Sequence, residues 1–284
     1  MTYITIFNIK YNVDLNKKLV LTKNKLSSLP LDIGNLINLE FINLEDNQLS
    51  SLPVTIGNLT KLHTLMLNNN KLSSLPETIG NLTKLHVLKV GNNKLSSLSD
   101  IIGDLINLKI LYLYYNQLIS LPATIGNLIN LEYLYLTNNQ LSNLPATIRN
   151  LINLKILYLQ NNKLSSLPET IGNLINLKSL YLKNNQLSSL PAIIGNLINL
   201  SLLCLLNNKL NSVPAEILNI KKNIRIDETS YEINNLDNEC AILIFNSLNI
   251  NIINLPINIK EIWLGNLIKN PSIKLPFTCE IKIY

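Results

Sequence analysis

Residues 62–85 read LHTLMLNNNKLSSLPETIGNLTKL, and this pattern returns every 23 residues along most of the chain. An asparagine marks the register in nine successive units, without insertion or deletion. These ladder asparagines are Asn24, Asn47, Asn70, Asn93, Asn116, Asn139, Asn162, Asn185 and Asn208. A proline follows six residues later in every unit except the fourth, where Ser99 replaces it. A fixed period of this length is typical of repeat architectures.

Each position of the repeat has a structural explanation. Leu65 and Leu67 alternate with one outward residue, which predicts a short strand. Asn70, at the end of that strand, is predicted to bond backbone groups of its own turn and the next, because its amide both donates and accepts. Pro76 fixes φ and opens the return segment. The Gly and Asn of Ile-Gly-Asn-Leu are expected to close it, since both tolerate unusual backbone dihedrals.

The leucine pattern also predicts how the repeats assemble. One repeat cannot bury its own leucine face, so neighbouring repeats must stack. Stacking predicts parallel strands about 4.8 Å apart. The return side is bulkier than the strand side, so we expect an α/β solenoid that bends into a curved arc. Its parallel β-sheet would line the concave side, and short helical or irregular segments would form the convex side.

The consensus LxxLxLxxNxLxxLPxxIGNLxx resembles the leucine-rich repeat family over residues 15–223. Its LPxxIGNL form is similar to the intracellular Ras-group repeats, which are linked to small-GTPase signalling. The resemblance implies a surface that binds proteins, because the family shares a binding architecture. It also implies a partner that is a small GTPase or its regulator.

Beyond Asn219 the 23-residue register fails. Leu-Pro pairs persist at 255–256 and 275–276, and each precedes an alternating run: IKEIWLG at 259–265 and CEIKIY at 279–284. Such alternation predicts strands. The stretch LPINIKEIWLG is similar to the FNIP-type repeats of amoebae and of giant viruses of amoebae.

The register therefore divides the chain into three parts. Residues 18–219 hold the nine repeats. Residues 1–17 are expected to cap the first repeat, since an uncovered edge strand invites unwanted pairing. Residues 220–284 are expected to form degenerate repeats that cap the other end.

The composition argues against an enzyme. Leucine occurs 61 times and asparagine 47 times, whereas charged residues make up 15% of the chain. No GxxxxGK[ST], GxGxxG, GxSxG, HExxH or CxxC motif occurs, so the common phosphate, nucleophile and metal signatures are missing. We expect no catalytic residue, no cofactor and no metal.

The chain is expected to act inside a cell. Its cysteines, Cys204, Cys240 and Cys279, are odd in number and scattered, which does not fit a disulfide framework. No run of about 18 apolar residues and no secretory signal is visible, so we expect no membrane partner. A net charge of +6 is mild, and no nucleic-acid role is expected. A viral gene would place the protein in its host cell.

The predicted binding surface lies on the outward row, the residues four positions before each ladder asparagine. This row consists of Val20, Asn43, Met66, Lys89, Tyr112, Tyr135, Tyr158, Tyr181 and Cys204. Three more tyrosines lie beside it, and the predicted partner-binding residues are Tyr112, Tyr114, Tyr115, Tyr133, Tyr135, Tyr158, Tyr181, Lys89 and Met66. Aromatic side chains are enriched at binding hot spots. Alternatively, tyrosine is simply a good strand residue, or repeat duplication copied it.

Two other surface rows carry polar residues. Glu40, His63 and His86 would lie on adjacent strands, and a zinc site there is conceivable. Ligands on flat parallel strands do not converge into a tetrahedron, however, which favours a solvated rim. A basic edge follows the ladder at Lys25, Lys71, Lys94, Lys163 and Lys209. It is better explained by solubility than by nucleic-acid binding, since no base-stacking motif accompanies it.

The leading hypothesis is a non-enzymatic scaffold that binds one partner protein on its concave sheet. A second hypothesis is an adaptor whose residues 220–284 recruit a ligase or kinase. A third is a self-associating structural array with no fixed partner. The oligomeric state stays open.

Overall fold

A computed structural model of the chain describes residues 2–6, 9–13, 17–205, 207–210, 214, 216, 220, 241–245, 259–264 and 280–283. The chain divides into two compact units, Met1–Gln140 and Leu141–Tyr284. Each unit is built on parallel strands that recur with the 23-residue period.

The first unit begins with an antiparallel pair. Strands β1 (Thr2–Ile6) and β2 (Ile9–Val13) are paired with Thr2 opposite Val13. This pair lies within the predicted N-terminal cap.

Six parallel strands then follow in sequence order: β3 (Lys18–Val20), β4 (Phe41–Asn43), β5 (Thr64–Met66), β6 (Val87–Lys89), β7 (Ile110–Tyr112) and β8 (Tyr133–Tyr135). Each residue pairs with the residue 23 positions later, as Lys18 does with Phe41. The sequence period is thus the register of the sheet, and equivalent positions of successive repeats form continuous rows.

The second unit contains two parallel sheets. Strands β9 (Ile156–Tyr158), β10 (Ser179–Tyr181) and β11 (Leu202–Cys204) continue the 23-residue register. Strands β12 (Ala241–Phe245), β13 (Ile259–Leu264) and β14 (Glu280–Ile283) form a separate three-stranded sheet. The two alternating runs predicted as strands correspond to β13 and β14.

Among the described residues, a five-residue 3-10 helix follows seven of the repeat prolines, from Pro30 to Pro191, and another follows Ser99. In the first unit the helices are Leu31–Asn35, Val54–Asn58, Glu77–Asn81, Asp100–Asp104 and Ala123–Asn127. In the second unit they are Ala146–Asn150, Glu169–Asn173 and Ala192–Asn196. Where Ser99 replaces proline, its Oγ accepts a hydrogen bond from the N–H of Ile101. This is a typical serine N-cap.

The glycine of the return segment has a different role from the expected one. Among the described residues no glycine has a positive φ, so its backbone freedom is not used. Instead, a Cβ on Gly57 would lie 2.4 Å from the carbonyl oxygen of Thr78 in the next repeat. Glycine is therefore needed for the close approach of successive 3-10 helices.

The core consists of leucine and isoleucine side chains. The two inward aliphatic residues of each repeated strand segment are buried, as Leu65 and Leu67 show, and so is the third residue of each 3-10 helix, an isoleucine such as Ile79. The predicted fold class is confirmed: short parallel strands alternate with short 3-10 helices, and the described residues contain no long helix. In this part of the chain, no helix is long and apolar enough to cross a membrane.

Candidate protein-binding surface

The ladder asparagines stabilise the turns next to the outward-facing strands through hydrogen bonds to the backbone. Asn70 is buried, and its Oδ1 accepts a hydrogen bond from the N–H of Leu49 at 3.0 Å. Its Nδ2 donates to the carbonyl oxygens of Leu44 and Leu67, both at 3.0 Å. One side chain thus satisfies backbone groups of its own repeat and of the preceding repeat, which fixes each turn against its neighbour.

The ladder is buried through most of its length and exposed at its beginning. Its buried members are Asn47, Asn70, Asn93, Asn116, Asn139, Asn162 and Asn185. Asn24, the first, is exposed, and its Nδ2 donates to the carbonyl oxygen of Thr22 at 2.9 Å. Asn208, the last, is half-buried and donates to the carbonyl oxygens of Leu182 and Leu205.

The outward row is continuous across the first unit. Register pairing aligns Asn43 with Met66, Met66 with Lys89, Lys89 with Tyr112, and Tyr112 with Tyr135. All five side chains are half-buried, whereas the aliphatic residues on either side of them are buried. The strands therefore present this row to solvent, since neighbouring strand residues point to opposite faces.

Aromatic rings pack together at the end of this row. The ring centroids of Tyr112 and Tyr135 are 4.1 Å apart in an edge-on arrangement. The Nζ of Lys89 lies 4.9 Å from the Tyr112 ring centroid, within range for a cation–π contact. Tyr133 shares the outward side of β8 with Tyr135 and is half-buried. No ring among the described residues packs on Tyr133.

Tyr114 fills a space that Gly91 leaves open. A Cβ on Gly91 would lie 2.5 Å from the Cζ of Tyr114, so the ring lies directly over the glycine. The centroids of the Tyr112 and Tyr114 rings are 5.8 Å apart. Burial raises the pKa of Tyr114, and the nearby carboxylate of Glu45, the Tyr112 hydroxyl and the carboxylate of Asp46 raise it further.

Every ladder asparagine follows a residue in the left-handed region. These positive-φ residues form a second row, the left-handed row: Lys23, Asp46, Asn69, Asn92, Tyr115, Asn138, Asn161, Asn184 and Asn207. Asparagine and aspartate tolerate this conformation best among residues with a side chain. The sequence analysis missed the row, although the repeated asparagine doublet, as in Asn69-Asn70, is a signal for it.

Tyr115 is the bulky exception in the left-handed row. Its φ is 50°, and it is 58% exposed. A left-handed conformation costs a residue with a Cβ about 1–2 kcal/mol. Its ring contacts Tyr114 edge-on, with centroids 6.0 Å apart. Tyr115 therefore extends the aromatic cluster from the outward row to the edge of the sheet.

The second unit holds its own tyrosine pair. The rings of Tyr158 and Tyr181 stack with centroids 4.4 Å apart and an interplanar angle of 11°. Burial raises the pKa of Tyr181, and the neighbouring Tyr158, its hydrogen bond to Tyr181 and the Cys204 thiol contribute further. Cys204 follows in register and is buried, which leaves the tyrosines as the accessible part of this row.

The predicted histidine rim is only partly assembled. The rings of His63 and His86 stack at 5.4 Å with an angle of 4° between them. Glu40 forms an ion pair with Lys17, whose Nζ donates to Glu40 Oε1 at 2.6 Å. Hydrogen bonding to Lys17 is the main cause that lowers the pKa of Glu40. Within the described residues, no three His, Cys, Asp or Glu side chains converge as metal ligands.

Three family models of leucine-rich repeats match parts of this chain. A leucine-rich repeat region model matches residues 13–117, a leucine-rich repeat model matches residues 129–187, and a two-copy leucine-rich repeat model matches residues 106–151. No curated protein sequence matched the chain.

Solved structures include similar folds. The LRR ectodomain of the plant membrane receptor kinase GASSHO1/SCHENGEN3 from Arabidopsis thaliana, in complex with CASPARIAN STRIP INTEGRITY FACTOR 2, is 34% identical with a TM-score of 0.62. That match covers 67% of this chain and 24% of the receptor chain. The plant peptide hormone receptor RGFR1 in complex with RGF2 is 32% identical with a TM-score of 0.69, covering 87% of this chain and 40% of that one.

A bacterial protein shows the same similarity. The internalin inlF from Listeria monocytogenes is 25% identical with a TM-score of 0.63, covering 76% of this chain and 61% of the internalin. This chain therefore spans less than two thirds of each of the three proteins.

Proposed function

We propose that this chain, which carries leucine-rich repeats across residues 13–187, is a non-enzymatic scaffold that binds a protein or peptide partner. Leucine-rich repeats form a protein-interaction fold, and function on such a fold depends on the particular surface it presents. The side chains on the outward-facing side of the parallel strands make this side the best candidate for the binding surface.

The observation that carries the proposal is the outward row itself. In the first unit it runs from Met66 through Lys89 to the paired rings of Tyr112 and Tyr135. Methionine and tyrosine are residue types in which protein interfaces are enriched. The rings are half-exposed rather than buried in the core, so they offer contact area with polar hydroxyl groups.

The relatives support a protein or peptide partner. Both plant receptors were solved in complex with a partner, CASPARIAN STRIP INTEGRITY FACTOR 2 in one case and RGF2 in the other. A protein or peptide can contact several repeats at once, because the outward residues of successive short strands recur in register.

The partner class follows from the repeat consensus. We infer a small GTPase or its regulator from the LPxxIGNL form, together with a signalling role inside a cell. Binding to a panel of purified small GTPases, each loaded with GDP or with a GTP analogue, tests this class directly.

Affinity purification with two matched variants tests the surface. One variant carries Tyr112→Ser and Tyr135→Ser in the first unit, and the other carries Tyr158→Ser and Tyr181→Ser in the second. Each is used as bait in lysate of the organism that encodes the chain, after circular dichroism shows an unchanged fold. We expect at least one variant to lose proteins that the wild-type chain captures.

The control variant carries Ile106→Ser and Ile129→Ser. These isoleucines are each 49% exposed and follow 3-10 helices away from the strands, so the control removes comparable apolar area elsewhere. It should capture the wild-type set. Identical sets from the wild-type chain and both tyrosine variants would contradict the proposal.

A further inference from the structure

The side chains of the left-handed row bond in one direction in the first unit. Asn69 Nδ2 donates to Asp46 Oδ1 at 2.7 Å, and Asn92 Nδ2 donates to Asn69 Oδ1 at 2.8 Å. The amides are thus aligned, with every carbonyl oxygen directed toward the following repeat. Aligned hydrogen bonds polarise one another, so a chain that begins at a carboxylate has its negative end at Asn92 Oδ1.

The next residue of the row interrupts this chain. The backbone N–H of Asn93 donates to the carbonyl oxygen of Tyr115 at 3.2 Å, which places the two repeats side by side. An asparagine at 115 would donate to Asn92 Oδ1, as Asn92 itself does to Asn69, but tyrosine has no amide. No described residue donates to Asn92 Oδ1, and Asn92 is exposed. A polarised acceptor is therefore open at the position of the row that precedes Tyr115.

The Tyr115 ring is open to a cation from outside the chain. Lys89 lies over Tyr112, but no described cation lies over Tyr115. The carboxylates of Glu45 and Asp46 contribute to the raised pKa of the neighbouring Tyr114 hydroxyl. Tyr115 also occupies a strained left-handed position with more than half of its surface exposed. Its edge-on contact with Tyr114 leaves most of the Tyr115 side chain accessible.

We propose that Tyr115 and Asn92 form the subsite that receives an arginine side chain of the bound partner. This inference rests on the proposed function, because it assigns part of the partner's chemistry. The planar guanidinium stacks on the exposed ring and donates to Asn92 Oδ1 in the same pose. Lysine is a poorer match, since its ammonium is a point charge that lacks the planar stacking surface.

The test uses a defined probe, a random dodecapeptide library displayed on phage and selected on the full wild-type chain. Selected peptides are then synthesised with arginine, lysine, citrulline or alanine at any shared arginine position. We expect one shared arginine, and a loss of affinity of roughly tenfold or more on replacing it with lysine, citrulline or alanine.

Variants of the chain locate the subsite. Tyr115→Asn should weaken arginine peptides by roughly tenfold, while its melting temperature stays equal to wild type or rises, because asparagine suits the left-handed position. Unfolding therefore cannot explain its loss of binding. Tyr115→Phe keeps the ring and should bind within about twofold of wild type. Asp46→Asn removes the carboxylate and should weaken arginine peptides more than their citrulline forms.

Three results would overturn the inference: no enriched peptides, enriched peptides without a shared arginine, or arginine peptides that bind Tyr115→Asn as tightly as wild type. If peptides lose affinity for the Tyr112→Ser and Tyr135→Ser variant but not for Tyr115→Asn, the arginine subsite is wrong and the proposed scaffold function stands. If affinity purification is unchanged by the tyrosine variants of both units, the proposed function itself fails.

Discussion

The ring of Tyr114 lies over Gly91, its counterpart in the preceding repeat, with Cζ 2.5 Å from the position that a glycine Cβ would occupy. The missing side chain at 91 is what allows the ring to lie back along the sheet toward Asn68, which is buried. Asn68 in turn accepts a hydrogen bond from the Gly91 N–H at 2.7 Å and donates to Glu45 at 2.7 Å. The aromatic cluster thus depends on a glycine one repeat away.

Gly91→Ala is expected to push the Tyr114 ring out of this position. The added methyl group should destabilise the chain by about 1–3 kcal/mol, the usual cost of overpacking. Because burial is the main cause of the raised pKa of Tyr114, that pKa should move back toward its ordinary value. Denaturant unfolding and an alkaline absorbance titration measure the two effects. In a Tyr114→Ala background the same change should cost less, and an equal cost in both backgrounds would refute the contact.

A buried ladder asparagine is expected to contribute far more to the free energy of unfolding than an exposed asparagine does. Asn93 is buried, accepts from the N–H of Leu72 at 2.9 Å and donates to the carbonyl oxygen of Leu67 at 3.0 Å. Asn93→Ala leaves these buried groups unpaired and should cost about 2–4 kcal/mol. Asn107→Ala is the matched control, since Asn107 is exposed and bonds Thr83. Equal losses of unfolding free energy for the two variants would contradict the ladder's role.

The strain assigned to tyrosine in the left-handed row can be tested at a second position. Asn69 has φ 59° and bonds both Asp46 and Asn92. Asn69→Tyr should destabilise the chain by about 1–2 kcal/mol, because a bulky residue there bears the left-handed cost. Asn69→Asp keeps a tolerant residue and is the control. A melting temperature for Asn69→Tyr at or above wild type would show that tyrosine is not strained at such positions.

The histidine pair predicts a dependence of stability on pH. Burial, the neighbouring His63 and the charge of Lys109 lower the pKa of His86, so the unfolded chain takes up this proton first as pH falls. The contribution is fully present above the unfolded histidine value of about 6.5 and is lost as pH drops through it. Melting temperatures measured across this range should fall less steeply for His86→Gln than for wild type. An unchanged slope would rule out His86 as the source.

The period of the sequence was sufficient to predict which residues become neighbours. Because each residue pairs with the one 23 positions later, the row from Met66 to Tyr135 and the stack of His63 on His86 could both be anticipated. The proline that precedes seven of the eight described 3-10 helices likewise marked where the strand side ends, as at Pro76.

Other features could not be read from the period. The ring of Tyr114 lies where it does because of free space over Gly91, and a repeat pattern does not encode free space. The turn dihedrals were assigned to the glycines, whereas the left-handed residues are those before the ladder asparagines, such as Asn69. That error arose because glycine has two uses, positive φ and close approach, and sequence alone does not tell them apart.

Site-directed photo-crosslinking tests the central claim, contact between the outward row and a partner, most directly. A benzoylphenylalanine replaces Tyr135 or Tyr158 on the strands, or Ile129 or Ile175 as exposed controls away from them, and each chain is irradiated in lysate of the encoding organism. The account predicts a crosslinked partner from Tyr135, Tyr158 or both, and none from either isoleucine position. Crosslinks from the isoleucine positions with none from the tyrosine positions would contradict it.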